Sequence, residues 1–384
     1  MRMGLRLQFF YFFIIGIGGS LFFLPVWLEC RGIDIRAIGF IMSMTYVSKI
    51  VFGPVAAIFS DMGLNSKNII LVLGGIGVIG LLCMLPESCD LAYAFAVLVA
   101  TGGFQSIVPI GENITLNAIN SGDAKLDYGQ IRAVGTIAYA IIAVISGIIL
   151  NYFYGNGYLI WLMVACTVMI VVLSRFLSDV RNLKAIKESR AKYLTLFKQK
   201  DAVAVFAIAG LYYISAGMLT GLGSAHFKEI GISATVTGLL IIPMIFTESI
   251  FFFSAKKHLN NVPYQKLLFL ASCASVVRWG LMSVVVNPWL IALCQMMHAL
   301  TFASVHLATM NYIRTVIPVN LAARAQSTYD AGCSGVLMGM SIILYGVIYP
   351  ILKSKTFLVA AAFSLIGVVL SMTLKGKRLR RQSS

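Results

Sequence analysis

Charged side chains are scarce in this chain. Asp, Glu, Lys and Arg together make up 11% of its 384 residues, whereas soluble domains carry about 25%. Hydrophobic residues make up 59%, and the mean hydropathy is +0.89. A composition this apolar excludes a soluble domain and predicts a polytopic membrane protein.

Acidic residues are the rarer of the two charge types, with 14 Asp and Glu against 30 Lys and Arg and a formal net charge of +16. We expect twelve spans, at residues 7–28, 37–60, 68–86, 92–117, 131–153, 158–178, 202–224, 234–255, 264–286, 288–313, 324–350 and 356–374. Of the 30 basic residues, 22 then fall on the side that holds both termini, 5 on the other side and 3 within spans. The positive-inside rule therefore predicts that both termini lie in the cytoplasm, and we expect a multi-pass protein of the cytoplasmic (inner) membrane. We expect the basic charge to face anionic lipid rather than nucleic acid.

Motifs of catalysis and of metal binding are absent from the sequence. No Walker motif, H-E-x-x-H motif or nucleophile elbow occurs, so we expect neither an enzyme nor an ATP-driven pump. The seven cysteines include no C-x-x-C pair and fall mostly within spans, where a cysteine behaves as a small apolar residue. We therefore expect no disulfide framework, no metal and no cofactor.

The chain divides into two halves of equal size around one long polar stretch. We expect a six-helix bundle at 1–178, a basic cytoplasmic linker at 179–201, a second six-helix bundle at 202–374 and a basic cytoplasmic tail at 375–384. With an offset of 199, Gly18, Gly32 and Gly39 fall on Gly217, Gly231 and Gly238. The predicted fold class is all-α membrane, with twelve transmembrane helices in two pseudo-symmetric six-helix bundles, which is the architecture of one large class of secondary transporters.

Seven ionisable side chains lie inside the otherwise apolar spans. They are Lys49, Glu112, Arg132, Glu248, Arg278, His298 and His306. A charged side chain near the bilayer centre costs at least roughly 2.5–3.5 kcal/mol, so such residues pair, face water or serve the function. Because both signs of charge are present, the pattern indicates a polar cavity, and we take all seven as candidate substrate or coupling residues.

In the first half, Lys49 lies about twelve residues from either end of its span, roughly 18 Å along the axis. It is too deep to reach the interface, so it needs a buried anion or a water-filled cavity. Glu112 shares a helical face with Gln105, seven residues earlier, and Arg132 opens the next span. Glu112 and Arg132 form either a structural ion pair or part of the substrate site, with Gln105 and Asn113 as secondary candidates.

In the second half, two effects act on the carboxylate of Glu248. Desolvation favours its neutral form, and a nearby cation favours its charged form. We expect Arg278 on the next span to be its partner, either in a static clamp or in a proton-coupling site. His298 and His306 lie eight residues apart in the tenth span, about 80° apart around an α-helix, so that both could border one cavity. Asp330, near the start of the eleventh span, is a secondary candidate.

Three segments resemble those of one transporter family. LDYGQIRAVGT at 126–136 resembles the L-D-Y-G-K-x-R-x-x-G-S opening of that family's fifth helix, and VVRWG at 276–280 resembles its ninth helix. The residues from His298 to Ile313 resemble its tenth-helix signature. By these motifs, nearly the whole chain resembles the phenylpropionate-permease-like transporters of the major facilitator superfamily, near the lactose and nucleoside proton symporters.

The resemblance implies import of small organic solutes with protons, aromatic carboxylates being the named substrate. It also implies substrate or coupling roles for Glu112 and Arg132, and a second-half polar network that contains Arg278 and His298.

The chain departs from the family pattern in two places. Thr301 stands where the lactose-symporter relatives have a carboxylate one turn after the tenth-helix histidine, so Glu248, Glu112 and His298 are left as candidates for proton coupling. In the loop after the second span, only Asp61 and one base remain of the superfamily's basic motif. We keep Thr301 as a secondary site candidate and Asp61 as a gating-loop candidate.

The sequence therefore predicts a secondary transporter that works by alternating access and imports a small organic anion with protons. Arginine can hold a carboxylate through two hydrogen bonds, which suits Arg132 and Arg278 to an anionic substrate. A sugar or nucleoside proton symporter and a drug or metabolite efflux protein are alternatives within the class. A non-transporting membrane sensor or assembly partner is the alternative from another class. We expect a monomer whose partners are its small-molecule substrate, protons and membrane lipid.

Overall fold

The structure is a computed structural model, and it describes residues 3–61, 64–120, 128–177, 194–258 and 262–374. Within these ranges the regular secondary structure is entirely helical. The α-helices are α1 (Met3–Leu21), α2 (Leu24–Cys30), α3 (Ile35–Asp61), α4 (Ser66–Leu82), α5 (Asp90–Gln105), α6 (Ile107–Asn120), α7 (Tyr128–Tyr152), α8 (Tyr158–Ser174), α9 (Leu194–Phe197), α10 (Ala202–Glu229), α11 (Ala234–Leu239), α12 (Ile241–His258), α13 (Tyr264–Met282), α14 (Pro288–Met296), α15 (Ser304–Val316), α16 (Val319–Ser327), α17 (Met338–Leu352) and α18 (Thr356–Met372). Ala299–Ala303 and Thr328–Leu337 are π-helical, and Lys353–Lys355 is a 3₁₀ turn.

Eight continuous helical stretches of the described residues are long and apolar enough to cross a membrane, and α4 and α8 are shorter apolar helices. One of the eight stretches, Val319–Met372, is 54 residues long, whereas about 20 residues cross a bilayer. The predicted all-α membrane class is therefore confirmed, and the count of twelve transmembrane helices stays a prediction.

Proline explains where three of the predicted spans are interrupted. Helix α1 ends four residues before Pro25, α5 four residues before Pro109, and α11 four residues before Pro243. A proline ring clashes with the carbonyl group four residues earlier and lacks the N–H that would bond to it. Each of these spans is consequently built from two helices, α1 with α2, α5 with α6, and α11 with α12.

The chain forms two compact units. The first comprises Met1–Lys187 and Gly221–Ile241, and the second comprises Glu188–Thr220 and Ile242–Ser384. In the first unit, α1 packs along α7 and α8, and α4 packs against α5. In the second unit, α13 packs against α18 and α15. The predicted domain boundaries stay a prediction, because most of the basic linker and all of the basic tail lie outside the described residues.

The chain makes the same turn twice, at Gly32 and Gly231. These glycines have φ angles of +78° and +85°, in the left-handed region. In each turn the glycine N–H donates to the carbonyl oxygen three residues earlier, at 3.0 Å in both, and the next N–H donates to the carbonyl oxygen five residues earlier, at 3.2 and 2.8 Å. Both turns are thus Schellman motifs with glycine at the left-handed position. Their spacing of 199 residues supports the internal repeat.

Replacing Gly32 or Gly231 by alanine is expected to destabilise the protein by roughly 1–2 kcal/mol, because a Cβ atom disfavours the left-handed conformation. A Cβ at either position would meet no atom within 4 Å, so the cost comes from the backbone alone. The measurement is the midpoint of thermal unfolding in detergent. Gly280→Ala is the control, since that glycine is equally unobstructed but helical, where alanine is favoured. An equal loss in all three variants would contradict the backbone explanation.

Candidate functional site

The guanidinium of Arg278 is the centre of a polar network in the second unit. Arg278 lies on α13 and is 1% exposed. Its Nη2 donates to Oε1 of Gln295 at 2.9 Å, and its Nη1 donates to Oγ1 of Thr301 at 3.1 Å. The guanidinium carbon also lies 4.7 Å from the centre of the Trp279 ring, a cation–π contact. A buried charge is tolerated here because neutral oxygens accept its hydrogen bonds.

His298 connects this guanidinium to a carboxylate. Nη1 of Arg278 lies 3.2 Å from Nδ1 of His298, and Nε2 of His298 lies 3.3 Å from Oε2 of Glu248. Arginine has only donors, so Nδ1 must accept, and the ring proton then belongs on Nε2, which can donate to the carboxylate. The imidazole therefore stands between a cation and an anion, with its tautomer set by both neighbours.

The sequence pairs Glu248 directly with Arg278, and the structure corrects this expectation. Among the described residues, Glu248 contacts Nε2 of His298, and Arg278 bonds instead to Gln295, Thr301 and Nδ1 of His298. The reason is the position of α14 and the π-helical turn after it, which bring an imidazole and two neutral acceptors to the guanidinium. At the position where the resemblance to the lactose-symporter relatives implies a carboxylate, this chain has Thr301, and its hydroxyl accepts a hydrogen bond from Arg278.

A π-helical turn aligns His298 and His306. The Phe302 ring stacks on the His298 ring at 5.1 Å and 14°, and on the His306 ring at 5.9 Å and 25°. A regular α-helix would place the two histidines about 80° apart. The π-helical turn Ala299–Ala303 has more residues per turn and so rotates each residue less. The three rings consequently form one continuous column, and π-helical turns of this kind are frequent at functional sites.

His306 also begins a chain of tyrosine hydroxyls. Its Nδ1 lies 3.1 Å from the hydroxyl of Tyr329, which lies 3.0 Å from the hydroxyl of Tyr213. Both tyrosines are buried, Tyr213 on α10 and Tyr329 in the second π-helical segment. Asp330 follows Tyr329 directly and is exposed.

In the first unit, the structure brings Glu112 and Arg132 together. Nη1 of Arg132 on α7 forms an ion pair with Oε1 of Glu112 on α6, and the same nitrogen lies 3.4 Å from the hydroxyl of Tyr128. The two charged side chains are 48% (Arg132) and 35% (Glu112) exposed. Unlike Arg278, this arginine has an anionic partner and is open to the surroundings of the protein.

The other first-half candidates lie on α3, α5 and α6. Lys49 is exposed on α3, with Nζ 5.1 Å from the ring centre of Tyr46 on the same helix. Asn113 accepts a hydrogen bond from Asn117, at 2.9 Å. Gln105 is the last residue of α5 and is partly buried. The side chain of Asp61, the gating-loop candidate, lies outside the described residues.

Sequence reasoning missed four residues of the second-unit network: Gln295, Phe302, Tyr213 and Tyr329. One signal was present, because Gln295 lies three residues before His298 and therefore shares its face on a helix. Nothing in the sequence marks the two tyrosines, since neither is charged and they lie on separate helices.

Comparisons with known proteins give a consistent result. The family model described as "MFS_1 like family" matches residues 4–360. The "Probable 3-phenylpropionic acid transporter" of Escherichia coli (strain K12) is 25% identical over 376 residues, which are 94% of each chain. The "Uncharacterized transporter YwbF" of Bacillus subtilis (strain 168) is 21% identical over 326 residues, 84% of this chain and 80% of that protein.

Two crystal structures of the nucleoside transporter NupG have the same fold. One is of a mutant form, with a TM-score of 0.86, 16% identity and coverage of 97% of this chain and 99% of NupG. The other has a TM-score of 0.84, 17% identity and coverage of 97% and 98%. At this identity the likeness establishes the fold alone, and it agrees with the fold class predicted from the sequence.

Gln295→Leu is expected to destabilise the protein by roughly 1.5–3 kcal/mol, because a buried guanidinium loses an acceptor and hydrogen bonds to charged groups are worth about that much. The measurement is thermal unfolding in detergent. Gln295→Glu keeps an oxygen at the same place and is expected to retain most of the stability. If the leucine variant unfolds at the same temperature as the unmodified protein, Gln295 does not support Arg278.

Proposed function

The chain belongs to the MFS_1-like family and is a transporter rather than an enzyme, and from this premise we propose that it imports a small organic acid together with protons. The observation that carries the proposal is the chain of contacts from Arg278 through His298 to Glu248. In this chain of contacts, a cation suited to a carboxylate (Arg278) contacts a titratable imidazole (His298), which contacts a second titratable group (Glu248).

The tautomer of His298 supplies a route for coupling. While Nδ1 is unprotonated, it accepts from Arg278. A proton that binds Nδ1 turns this nitrogen into a donor, so one N–H of Arg278 loses its acceptor and becomes available to the carboxylate of the solute. Proton binding then strengthens anion binding, and anion binding strengthens proton binding by the same factor. Symport needs this reciprocity.

The proposed substrate class is an aromatic carboxylate. A relative of 25% identity over nearly the full chain carries the name of a 3-phenylpropionic acid transporter, which supports this class. The buried guanidinium of Arg278 also favours an anion over a neutral sugar or nucleoside. The same role in the first unit falls to Arg132 with Glu112, and to Lys49. The remaining candidates in this proposal are Gln105, Asn113, Thr301, His306, Asp330 and Asp61.

The proposal includes the arrangement of the protein in the membrane. Both termini lie in the cytoplasm and the protein resides in the inner membrane as a monomer, with bundles at 1–178 and 202–374 joined by the basic segment 179–201. The excess of basic residues on the side of the termini supports this orientation. Transport proceeds by alternating access of the two bundles.

Uptake of labelled 3-phenylpropionate into proteoliposomes tests the function. With an acidic exterior, we expect accumulation that a protonophore abolishes, and no uptake of labelled uridine. Uptake of uridine without uptake of the acid would replace the proposed substrate class with the nucleoside alternative. Uptake that a protonophore leaves unchanged would refute proton coupling.

Glu248→Gln and His298→Gln are expected to lower gradient-driven accumulation at least about tenfold. The same variants should keep a larger fraction of the exchange of labelled for unlabelled solute, measured without a gradient, than of the accumulation. Exchange does not require net proton movement. Glu87→Gln, which changes an exposed acid in the loop before α5, is the matched control and should transport normally. Equal loss of accumulation and exchange in both site variants would assign these residues to solute binding or folding rather than to coupling.

A further inference from the structure

A second polar cluster lies in the first unit, where α2, α7, α10 and α11 meet around a cavity of about 160 Å³. Its polar lining includes Ser224 and Lys228 on α10, and Asn151 at the end of α7. All of its lining residues belong to the first unit, whereas the Arg278 network belongs to the second.

Lys228 is held by two partners at the edge of this cavity. Its Nζ donates to Oε2 of Glu29 at 2.9 Å and to the hydroxyl of Tyr154 at 2.6 Å, and it also lies 4.9 Å from the centre of that ring. Glu29 and Lys228 are 199 residues apart, so they occupy equivalent positions of the internal repeat, each three residues before the glycine of a Schellman turn. The repeat thus carries opposite charges at one position, and the two charges pair with each other.

Ser224 provides the observation that points to a ligand. It is 1% exposed, lines the cavity, and its Oγ has no hydrogen-bond partner among the residues that the structure describes. It lies one turn before Lys228, so both side chains project from the same face of α10. The ammonium has three donors, and within the described part of the chain two of them have acceptors. A buried hydroxyl is normally satisfied, so the Ser224 hydroxyl is available to a polar ligand atom that enters the cavity.

The rest of the lining is suited to an apolar body. Phe23, Val26, Leu150 and Ile232 form an apolar wall. A cavity of about 150 Å³ with such a lining accommodates benzene, so a cavity of this volume can take one ring. A cation and a hydroxyl on one side with an apolar wall on the other match a molecule that has one carboxylate and a compact apolar group.

We propose that this cavity is a second binding site, for a small monocarboxylate with an apolar body. The ligand carboxylate accepts from Lys228 and Ser224 in place of Glu29, while its apolar group packs against the wall. The exchange keeps the charge of Lys228 balanced, because one carboxylate replaces another. Binding therefore releases Glu29 from the ion pair that ties α2 to α10.

Equilibrium binding of labelled benzoate to the purified full-length protein in detergent tests the site, with labelled benzamide as the neutral control. Lys228→Gln is expected to weaken one class of benzoate sites at least tenfold, and Ser224→Ala to weaken it several-fold. Glu29→Gln should strengthen the same class several-fold, because it removes the competing carboxylate. This class of benzoate sites should persist in the Arg278→Gln variant, and benzamide should not bind to it.

Glu29→Gln and Lys228→Gln are expected to change the benzoate affinity in opposite directions, and this distinguishes a binding site from a structural ion pair. An ion pair alone predicts that both variants lose thermal stability and leave benzoate binding unchanged, and that result overturns the proposal. Ser224→Ala and Glu29→Gln keep the test decisive if Lys228→Gln does not fold. If benzoate binding depends on Lys228 but proton-driven uptake is absent, the proposed transport is refuted and this site stands. If proton-driven uptake occurs but benzoate binding does not change in the Glu29 and Lys228 variants, this site is refuted and the proposed transport stands.

Discussion

A guanidinium that stays charged inside an apolar helix bundle needs acceptors within reach, and in the second unit this requirement falls on Arg278. Its hydrogen bonds fix the side chains of Gln295 and Thr301, and they decide which nitrogen of His298 carries the proton. That choice in turn directs Nε2 toward Glu248. A single buried charge thereby sets the hydrogen bonds of Gln295, Thr301 and His298, and the proposed coupling of proton and anion binding rests on this arrangement.

The two units satisfy their arginines in different ways. Arg132 has a carboxylate partner and remains about half exposed, so its charge is balanced locally. Arg278 is fully buried and donates to neutral groups, and the imidazole of His298 lies between it and the carboxylate of Glu248. An arginine that is already paired has little net charge to offer an anionic solute, whereas one held by neutral acceptors keeps its positive charge. The proposed anion-binding role therefore fits Arg278 better than Arg132.

The internal repeat is preserved in the backbone and has diverged in the side chains. The Schellman turns at Gly32 and Gly231 have matching φ angles and hydrogen bonds because the left-handed conformation restricts the residue that can stand there. Three residues earlier no such restriction applies, and the two halves carry Glu29 and Lys228. The backbone conformation thus restricts the residue at each turn, whereas the positions three residues earlier carry side chains of opposite charge.

The sequence by itself determined the class of the protein and most of its polar positions. Composition required a membrane protein, motifs indicated the family, and the cost of burying charge singled out Arg278, His298 and Glu248. Only the tertiary structure decided which of these groups touch. Glu248 meets His298 rather than Arg278, and Tyr213 joins Tyr329, because each pair brings together helices that are far apart in the chain. The π-helical turn before α15 changes the rotation of that helix and so aligns His306 with His298. Helical periodicity describes one helix at a time, so it cannot report contacts that packing alone creates.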